Sequence, residues 1–435
     1  MNRRTFIRRA GLVGAALVIP GARAVAAAAR ELRISRVAVQ EARGRRLTPV
    51  APNAYAAYRG YDVSEPVLRI QTRQGLEGIC RSAASPDALK QLVGMDPFQL
   101  FTWDGDRVSG PADEHRELLG KLGGADVALF DLLGKALKRP CSELLGKSVR
   151  PAVLVYDSSL YMEDLLKPEQ LEGLAYLDGP APPDPVERVV QKAKWVLNKR
   201  SEGFRAIKIK IGRMKWMESF EAALARDVAV TNAVRQAVGA DVRIMVDGNK
   251  AYAPRPLAAL DYAKAVAGSD IYFMEEMFPE VDVANLKEVK KGLRAASNPI
   301  KLAAGESYSG GVPEHVYTQR VEGPKGNEPL MDIEQADMNA HGFLRLRTKA
   351  AVEHELGMTM APHNFGSKLG FYAQIHLGLA TPNWEMSETD DSEFPAFRPD
   401  GIVVEKGMAK LTDQPGLGVT LNEDALKRPS LEFKA

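Results

Sequence analysis

RIMVDGN (243–249), IYFMEE (271–276) and KLAAGES (301–307) share one design: a short apolar run that ends on an acid. Asp247, Glu275 and Glu306 stand at steps of 28 and 31 residues, about the length of one strand-plus-helix unit. Three successive parallel strands would then each deliver a carboxylate at the carboxyl end. In a βα barrel those ends converge on one mouth, where active sites sit. Converging carboxylates repel one another unless a cation lies between them. An all-oxygen donor set selects a hard divalent ion, most simply Mg²⁺.

The pattern extends in both directions from this stretch. One strand earlier, Lys208 and Lys210 sit in IKIKI (207–211). Their i, i+2 spacing puts both ammonium groups on one face of a strand. Inside a barrel two cations are tolerable only near the mouth, beside carboxylates or an anionic ligand. Neighbouring cations and desolvation would lower the pKa of such a lysine and make it a usable base. A solvent-facing edge strand is the other reading of the pair. Later in the chain, Asp337 ends a run 31 residues past Glu306, and His363 ends one 26 residues further on. An Asp that accepts from one imidazole nitrogen fixes the tautomer and raises basicity at the other.

Apolar runs at 152–156, 206–211, 242–246, 271–274, 301–304, 331–336 and 358–361, with a weaker one near Trp384, alternate with amphipathic stretches. One such stretch, 220–238, stops at Gly239, a natural C-terminal signal. Eight strand candidates predict an α/β fold of the (β/α)₈ TIM-barrel type. An open doubly wound sheet is the alternative, and the even spacing of acidic tips disfavours it. Upstream, 34–39 and 67–72 alternate apolar and polar residues as strands do, and 112–138 turns helical. That predicts a small α+β domain, with a long Gly/Pro/Tyr-rich loop over 47–66. From Asp400 short strands and turns return, as in a tail that packs back on the first domain. The boundaries expected are 1–30, 31–148, 149–399 and 400–435.

With 435 residues, 45% apolar and 26% charged, the composition is that of a soluble globular enzyme. The formal charge of +2 owes much to the first 24 residues, which carry five arginines and no acid; without them it falls to −3. That leaves no general reason to expect nucleic acid or an anionic membrane as a partner. Arg3 and Arg4, an apolar run over 11–20 and the small residues around Ala22 and Ala24 have the build of a cleaved export leader, with paired arginines pointing to the twin-arginine route. The apolar run is shorter than the roughly 20 residues that span a bilayer. A periplasmic mature chain with no membrane insertion is expected. The two cysteines, Cys80 and Cys141, form no motif, and two buried thiols are expected.

ALFDLLGK (128–135), IKIKIG (207–212), VDGN (246–249), MEEM (274–277), AGES (304–307), D-x-x-x-x-G (337–342) and APHNF (361–365) occur in an order and spacing that resembles the enolase superfamily, in its mandelate racemase and muconate lactonizing enzyme branch. The likeness runs from about residue 33 to the C-terminus. It implies a TIM barrel with an N-terminal α+β capping domain completed by the C-terminal tail. It implies Asp247, Glu275 and Glu306 as Mg²⁺ ligands; Glu275 is chosen over Glu276 by register with the motif. Lys210 would be one acid/base catalyst. Lys208 would contact the substrate carboxylate and lower the pKa of Lys210. His363, paired with Asp337, would be the second catalyst, as in the mandelate racemase-like subgroup. Asn249 would support the metal and substrate site, and Glu385 would match the acid of the eighth strand, with Glu388 competing. Met277 stands where many relatives have proline, and Ser307 where some have asparagine.

The implied reaction removes the proton beside a carboxylate through an enediolate, with Mg²⁺ and flanking ammonium groups holding the developing charge. Dehydration of a sugar acid to a 2-keto-3-deoxy acid is the leading expectation. Racemisation or epimerisation of a 2-hydroxy acid is the alternative, and a periplasmic acid-binding protein that kept the metal site is a third. The ligand is a small-molecule carboxylate. A loop from the first domain is expected to close over the mouth, with Tyr55 and Arg59 against the substrate. Relatives of this kind are often homo-oligomers.

Overall fold

The computed structural model describes residues 32–435 except 83, 308–310 and 324–325. The twin-arginine segment lies outside the described residues. The chain opens with an antiparallel meander of strands Ile34–Val50, Gly60–Thr72 and Glu77–Arg81. Register between the first two holds from Arg36 opposite Gln71 to Arg45 opposite Asp62, and Val50 still pairs with Gly60 across a bulge. The loop expected over 47–66 is therefore only residues 51–59. Tyr61 and Val63, read as loop from their Gly/Pro neighbours, suit a pleated surface, and cross-strand pairing decides the matter. Helix Asp126–Leu137 packs on this sheet and is buried from Asp126 through Gly134. Asp126 accepts from the Phe343 and Leu344 amides at 2.9 and 2.8 Å, which pins the small domain to the next one.

That next unit is a closed barrel. Its strands are Val153–Leu160, Ala206–Lys210, Arg243–Asp247, Ile271–Glu275, Lys301–Ala304, Ile333–Glu334, Thr359–Met360 and Ser387–Thr389. Each pairs in parallel with the next through the seventh. Met360 bridges to Trp384, and the eighth strand pairs with Val155–Asp157 of the first. The last pairing closes the ring and removes the open-sheet alternative. The eighth strand proper begins three residues past Trp384, which serves only as its leading bridge. Helices start where sequence chemistry supplies an acceptor: Ser219, Asp337 and Ser367 side chains accept from Ala222, Ala340 and Gly370, each cap worth about 1 kcal/mol.

The barrel interior is a layer of Tyr156, Ala206, Met245, Phe273, Ala303, Ile333, Ala361 and Met386, one from each strand position. Side chains alternate along a strand with period two. Residues two positions past this layer therefore face the mouth: Ser158, Lys208, Asp247, Glu275, Gly305, Gln335, His363 and Glu388.

The tail divides its allegiance. The hairpin Ile402–Glu405 and Met408–Leu411 adds to the first barrel strand through Met408–Leu154 and Ala409–Val153. Only further on does Leu431–Lys434 pair with the opening strand. Between these strands the tail also meets the first domain: Gly416 exchanges backbone bonds with Arg139 and Cys141, Leu417 donates to Asp131, and Lys427 and Ser430 donate to the Glu41 and Val39 carbonyls, so it is the hairpin 402–411 that departs from the expectation of a tail packed on that domain. Among the described residues no helix is long and apolar enough to cross a membrane. Cys80 and Cys141 are buried and unpaired.

His376 ties three pieces together. Its Nδ1 accepts from the Ser142 amide at 3.2 Å, and Nε2 lies 3.2 Å from the Leu417 carbonyl, to which it donates as the neutral tautomer. Burial pushes its pKa down to about 4, against a partial opposing pull from the Leu417 carbonyl. The unfolded chain takes up this proton near 6.5, so this contribution to stability is complete above about pH 6.5 and is lost as pH falls toward 4. Denaturant titrations of His376→Gln between pH 4 and 7 should show a flatter acid limb than wild type. Parallel limbs would assign the acid sensitivity to other groups.

Candidate active site

Asp247, Glu275 and Glu306 end the third, fourth and fifth barrel strands, and their oxygens lie within 4.8 Å of one another. Asp247 and Glu275 are fully buried. Glu275 Oε1 and Glu306 Oε2 are buried without a hydrogen-bond partner. An orphaned Glu275 oxygen and a Glu306 oxygen met only by the His363 ring at 3.3 Å, within a three-acid cluster, fit a hard divalent cation. The neighbouring Glu276 turns away at φ +39; it accepts from Ser307 Oγ at 2.9 Å and lies 3.5 Å from Lys250. Of the paired acids it is Glu275 whose carboxylate joins Asp247 and Glu306, while that of Glu276 is engaged by Ser307 and Lys250. Asn249 bonds back to Asp247 through its amide at 2.8 Å and its side chain at 3.2 Å.

Lysines flank the acids on one side. Lys208 Nζ lies 2.7 Å from Glu275, 3.0 Å from Glu388 and 3.9 Å from Asp247, over the Tyr156 ring at 5.6 Å. Lys210 contacts Asp247. Their strand is central, paired on both edges, which removes the solvent-edge reading. Both lysine pKa values move up, not down as expected. Burial lowers each, but Glu275 and Glu388 outweigh it at Lys208, and Asp247 outweighs both burial and the Lys208 charge at Lys210. With the carboxylates uncompensated, the ammonium groups are their counter-ions.

On the other side His363 Nδ1 lies 2.7 Å from Asp337 Oδ2, and Nε2 lies 3.3 Å from Glu306. Burial disfavours the imidazolium, yet Glu306 and then Asp337 overcome it and raise the pKa to about 10. The other Asp337 oxygen caps its helix through the Ala340 amide at 2.8 Å, so one carboxylate orients both helix and imidazole.

Two residues complete the ring. Gln335 donates to Glu275 Oε2 at 2.8 Å. It was absent from the expected set, although its place two positions past Ile333 would have found it. Glu388 receives Lys208 on one oxygen and the Asn364 amide on the other, at 2.8 Å. Glu385 is not in the site. It stands one residue before the interior layer, where it accepts from Tyr272 at 2.5 Å and pairs with Lys301 at 2.8 Å, groups that sit near the opening ends of their strands. The strand-eight acid of the mouth is Glu388.

The loop 51–59 docks on the segment following Lys210: Trp216 Nε1 donates to the Asn53 carbonyl at 2.8 Å and Lys215 to that of Tyr55 at 2.9 Å. Tyr55 itself is 60% exposed and is not held at the cluster. Arg59 lies over the Phe365 ring at 5.3 Å, two residues past His363.

Residues 191–425 match the family model described as enolase C-terminal domain-like. The chain belongs to the enolase superfamily, in its mandelate racemase and muconate lactonizing enzyme branch. It is 28% identical over 369 residues to a D-galactarolactone cycloisomerase of Agrobacterium fabrum, covering 80% of this chain and 86% of that one. To D-galactonate dehydratase family member RspA of Pantoea ananatis it is 28% identical over 354 residues, covering 76% and 79%. Its fold superposes on galacturonate dehydratase from Geobacillus sp. with a TM-score of 0.73 at 23% identity, covering 90% and 95%. On L-talarate/galactarate dehydratase from Salmonella typhimurium the TM-score is 0.64 at 20% identity, covering 98% of each. A mandelate racemase/muconate lactonizing protein from Geobacillus sp. with this fold was crystallised with magnesium and tartrate, and the acid trio at the barrel mouth here has the donor chemistry to hold such an ion.

Proposed function

We propose that this enolase-superfamily enzyme dehydrates a sugar acid to a 2-keto-3-deoxy acid. The observation that carries the reading is the flanking of the acid trio. Lys210 contacts Asp247 at one end of the series, and His363 approaches Glu306 at the other. Two proton-transfer groups at opposite ends of a charge-stabilising centre suit a reaction that takes a proton from one atom and gives one to another. The dehydratase names of several relatives support the same reading.

Asp247, Glu275 and Glu306 would hold Mg²⁺, which supplies electrophilic stabilisation of the negative charge that develops on the substrate carboxylate. Lys208, buried among Glu275, Glu388 and Asp247, adds a fixed positive charge beside it. One of Lys210 and His363 takes the proton from the α-carbon. The other donates a proton to the β-hydroxyl, the C–O bond breaks and water leaves. The enol that remains tautomerises to the 2-keto-3-deoxy acid. His363 enters as a ready acid because Asp337 favours its protonated form; Mg²⁺ on Glu306 would weaken one of the two pulls and leave the other.

The test is a screen of sugar acids with Mg²⁺ and semicarbazide detection of keto acids, run beside α-deuterium exchange in D₂O. Keto acid supports dehydration. Exchange into recovered substrate without keto acid would replace it with racemisation or epimerisation, the second reading. No exchange with any acid that binds would leave a binding protein. Arg59→Ala should raise KM several-fold with little change in kcat, since a guanidinium beside Phe365 can hold a remote substrate group without touching the reacting atoms. An unchanged KM removes Arg59 from the substrate contacts. Arg3 and Arg4 further support export of the folded enzyme to the periplasm by the twin-arginine route, which cell fractionation checks.

A further inference from the structure

Glu306 breaks the rule that places its neighbours. Asp247, Glu275, Gln335, His363 and Glu388 all lie two residues past the barrel's interior layer; Glu306 lies three past Ala303. The extra residue is Gly305, at φ +131, a region closed to residues with a Cβ. That conformation swings Glu306 back into the mouth. A Cβ on Gly305 would fall on the Glu334 carboxylate, and so would one on Gly311.

Glu334 lies between Ile333 and Gln335, which face inward, so its side chain points out toward the surrounding helices. It is fully buried there. A buried carboxylate is costly unless it is paired and hydrogen-bonded, and this one is both. Both oxygens accept from the Val312 amide at 3.1 Å, and Oε1 also accepts from the Ala336 amide at 2.9 Å. Lys349, on the helix Met338–Glu355, lies 3.1 Å from Glu334 and donates to the Val312 carbonyl at 3.2 Å. Amide and carbonyl of one residue are thus held by an acid and a base that hold each other. Glu353, 2.9 Å from the same lysine, has its pKa raised to about 9 by burial and by Glu334. Burial and the Glu334 charge favour the neutral form of Glu353, and Lys349 pairs with Glu334 at 3.1 Å.

We propose that Glu334, clamped by Lys349, is a positioning residue for the metal site: it packs against Gly305 just before Glu306 and holds the Val312 amide after it, and so helps set the third Mg²⁺ ligand. The inference rests on Glu306 being a ligand. Glu334 and Lys349 bond to Val312, Ala336, Glu353 and each other rather than to the acid trio, so backbone placement is the route by which they reach the metal site. The same carboxylate holds the Ala336 amide, one residue before the Asp337 that orients His363.

The experiment is calorimetric titration of Mg²⁺ into metal-free wild type, Glu334→Gln, Lys349→Met and Glu306→Gln, with circular dichroism to establish folding. In Glu334→Gln an amide NH₂ competes with the Val312 and Ala336 donors, and Lys349 loses its counter-charge. Mg²⁺ affinity should fall roughly 10–100-fold in the Glu334 and Lys349 variants, the range for outer partners of metal ligands, while the folded content is retained. A lowered Tm with wild-type Mg²⁺ affinity would overturn the proposal. Wild-type affinity in Glu306→Gln would instead remove the ligand assignment beneath it. Should the substituted proteins fail to fold, hydrogen exchange on wild type decides: the Val312 amide should be strongly protected, and exchange at the rate of an open loop would overturn the clamp.

Discussion

Stripping the divalent ion with a chelator is expected to abolish turnover while leaving the protein folded, and Mg²⁺ should restore it. The activity loss follows from charge. Deprotonating carbon beside a carboxylate gathers a second negative charge on one group, and a metal ion contributes several kcal/mol toward stabilising it. That amounts to a loss on the order of a thousandfold or more. Retention of the fold follows from the lysines. Asp247, Glu275 and Glu306 would repel one another in the metal-free state, but Lys208 and Lys210 already lie against Glu275 and Asp247. The apo protein therefore carries its own counter-ions. Mg²⁺ binding should still raise the melting temperature, because a ligand at about 100 times its Kd adds about 2.7 kcal/mol. Undiminished turnover in the chelated protein, or no thermal shift on Mg²⁺ addition, would remove the metal from the site.

The same two lysines show where sequence reasoning succeeds and where it stops. Acids at even intervals announced a barrel, because spacing along the chain translates directly into position around a ring. The period of two put Lys208 and Lys210 on one face of their strand, while position at the end of a strand put Asp247, Glu275 and His363 at the mouth. The same period would also have chosen Glu388 over Glu385, had the interior layer been visible: Met386 lies in that layer, and the two glutamates fall on either side of it. Short strands of two or three residues, such as Ile333–Glu334 and Ser387–Thr389, leave too few residues to display their own alternation. Gln335 escaped for that reason. The direction of the lysine pKa shifts escaped for another. It depends on which charges lie nearest in space, and Lys208 finds Glu388, 180 residues away, as close as its sequence neighbours. The loop 51–59 was overestimated because composition marks Gly, Pro and Tyr but not the opposite strand that receives them. Backbone-mediated placement, as at Gly305 and Glu334, leaves the least trace: one glycine and one glutamate among many.

Lys210→Ala and His363→Ala are each expected to lower dehydration about 10²–10⁴-fold, the usual worth of a positioned acid or base, yet to separate cleanly in a second assay. The residue that takes the α-proton is required for exchange of that proton with D₂O; the residue that protonates the leaving hydroxyl is not. One variant should therefore lose both keto-acid formation and α-deuterium exchange. The other should lose keto acid and keep exchange. In a racemase the pattern differs, because each base serves one enantiomer: each variant would retain exchange with one hand of the substrate and lose it with the other. Asp337→Asn provides the control on His363. Asparagine keeps an oxygen that can cap the helix at Ala340 but removes the charge that favours the imidazolium, so the proton-donating function should weaken with the fold intact. If both Lys210→Ala and His363→Ala kept dehydration within about tenfold of wild type, below even the lower end of that range, neither end of the acid trio would be moving the proton and the assignment of both residues would fall.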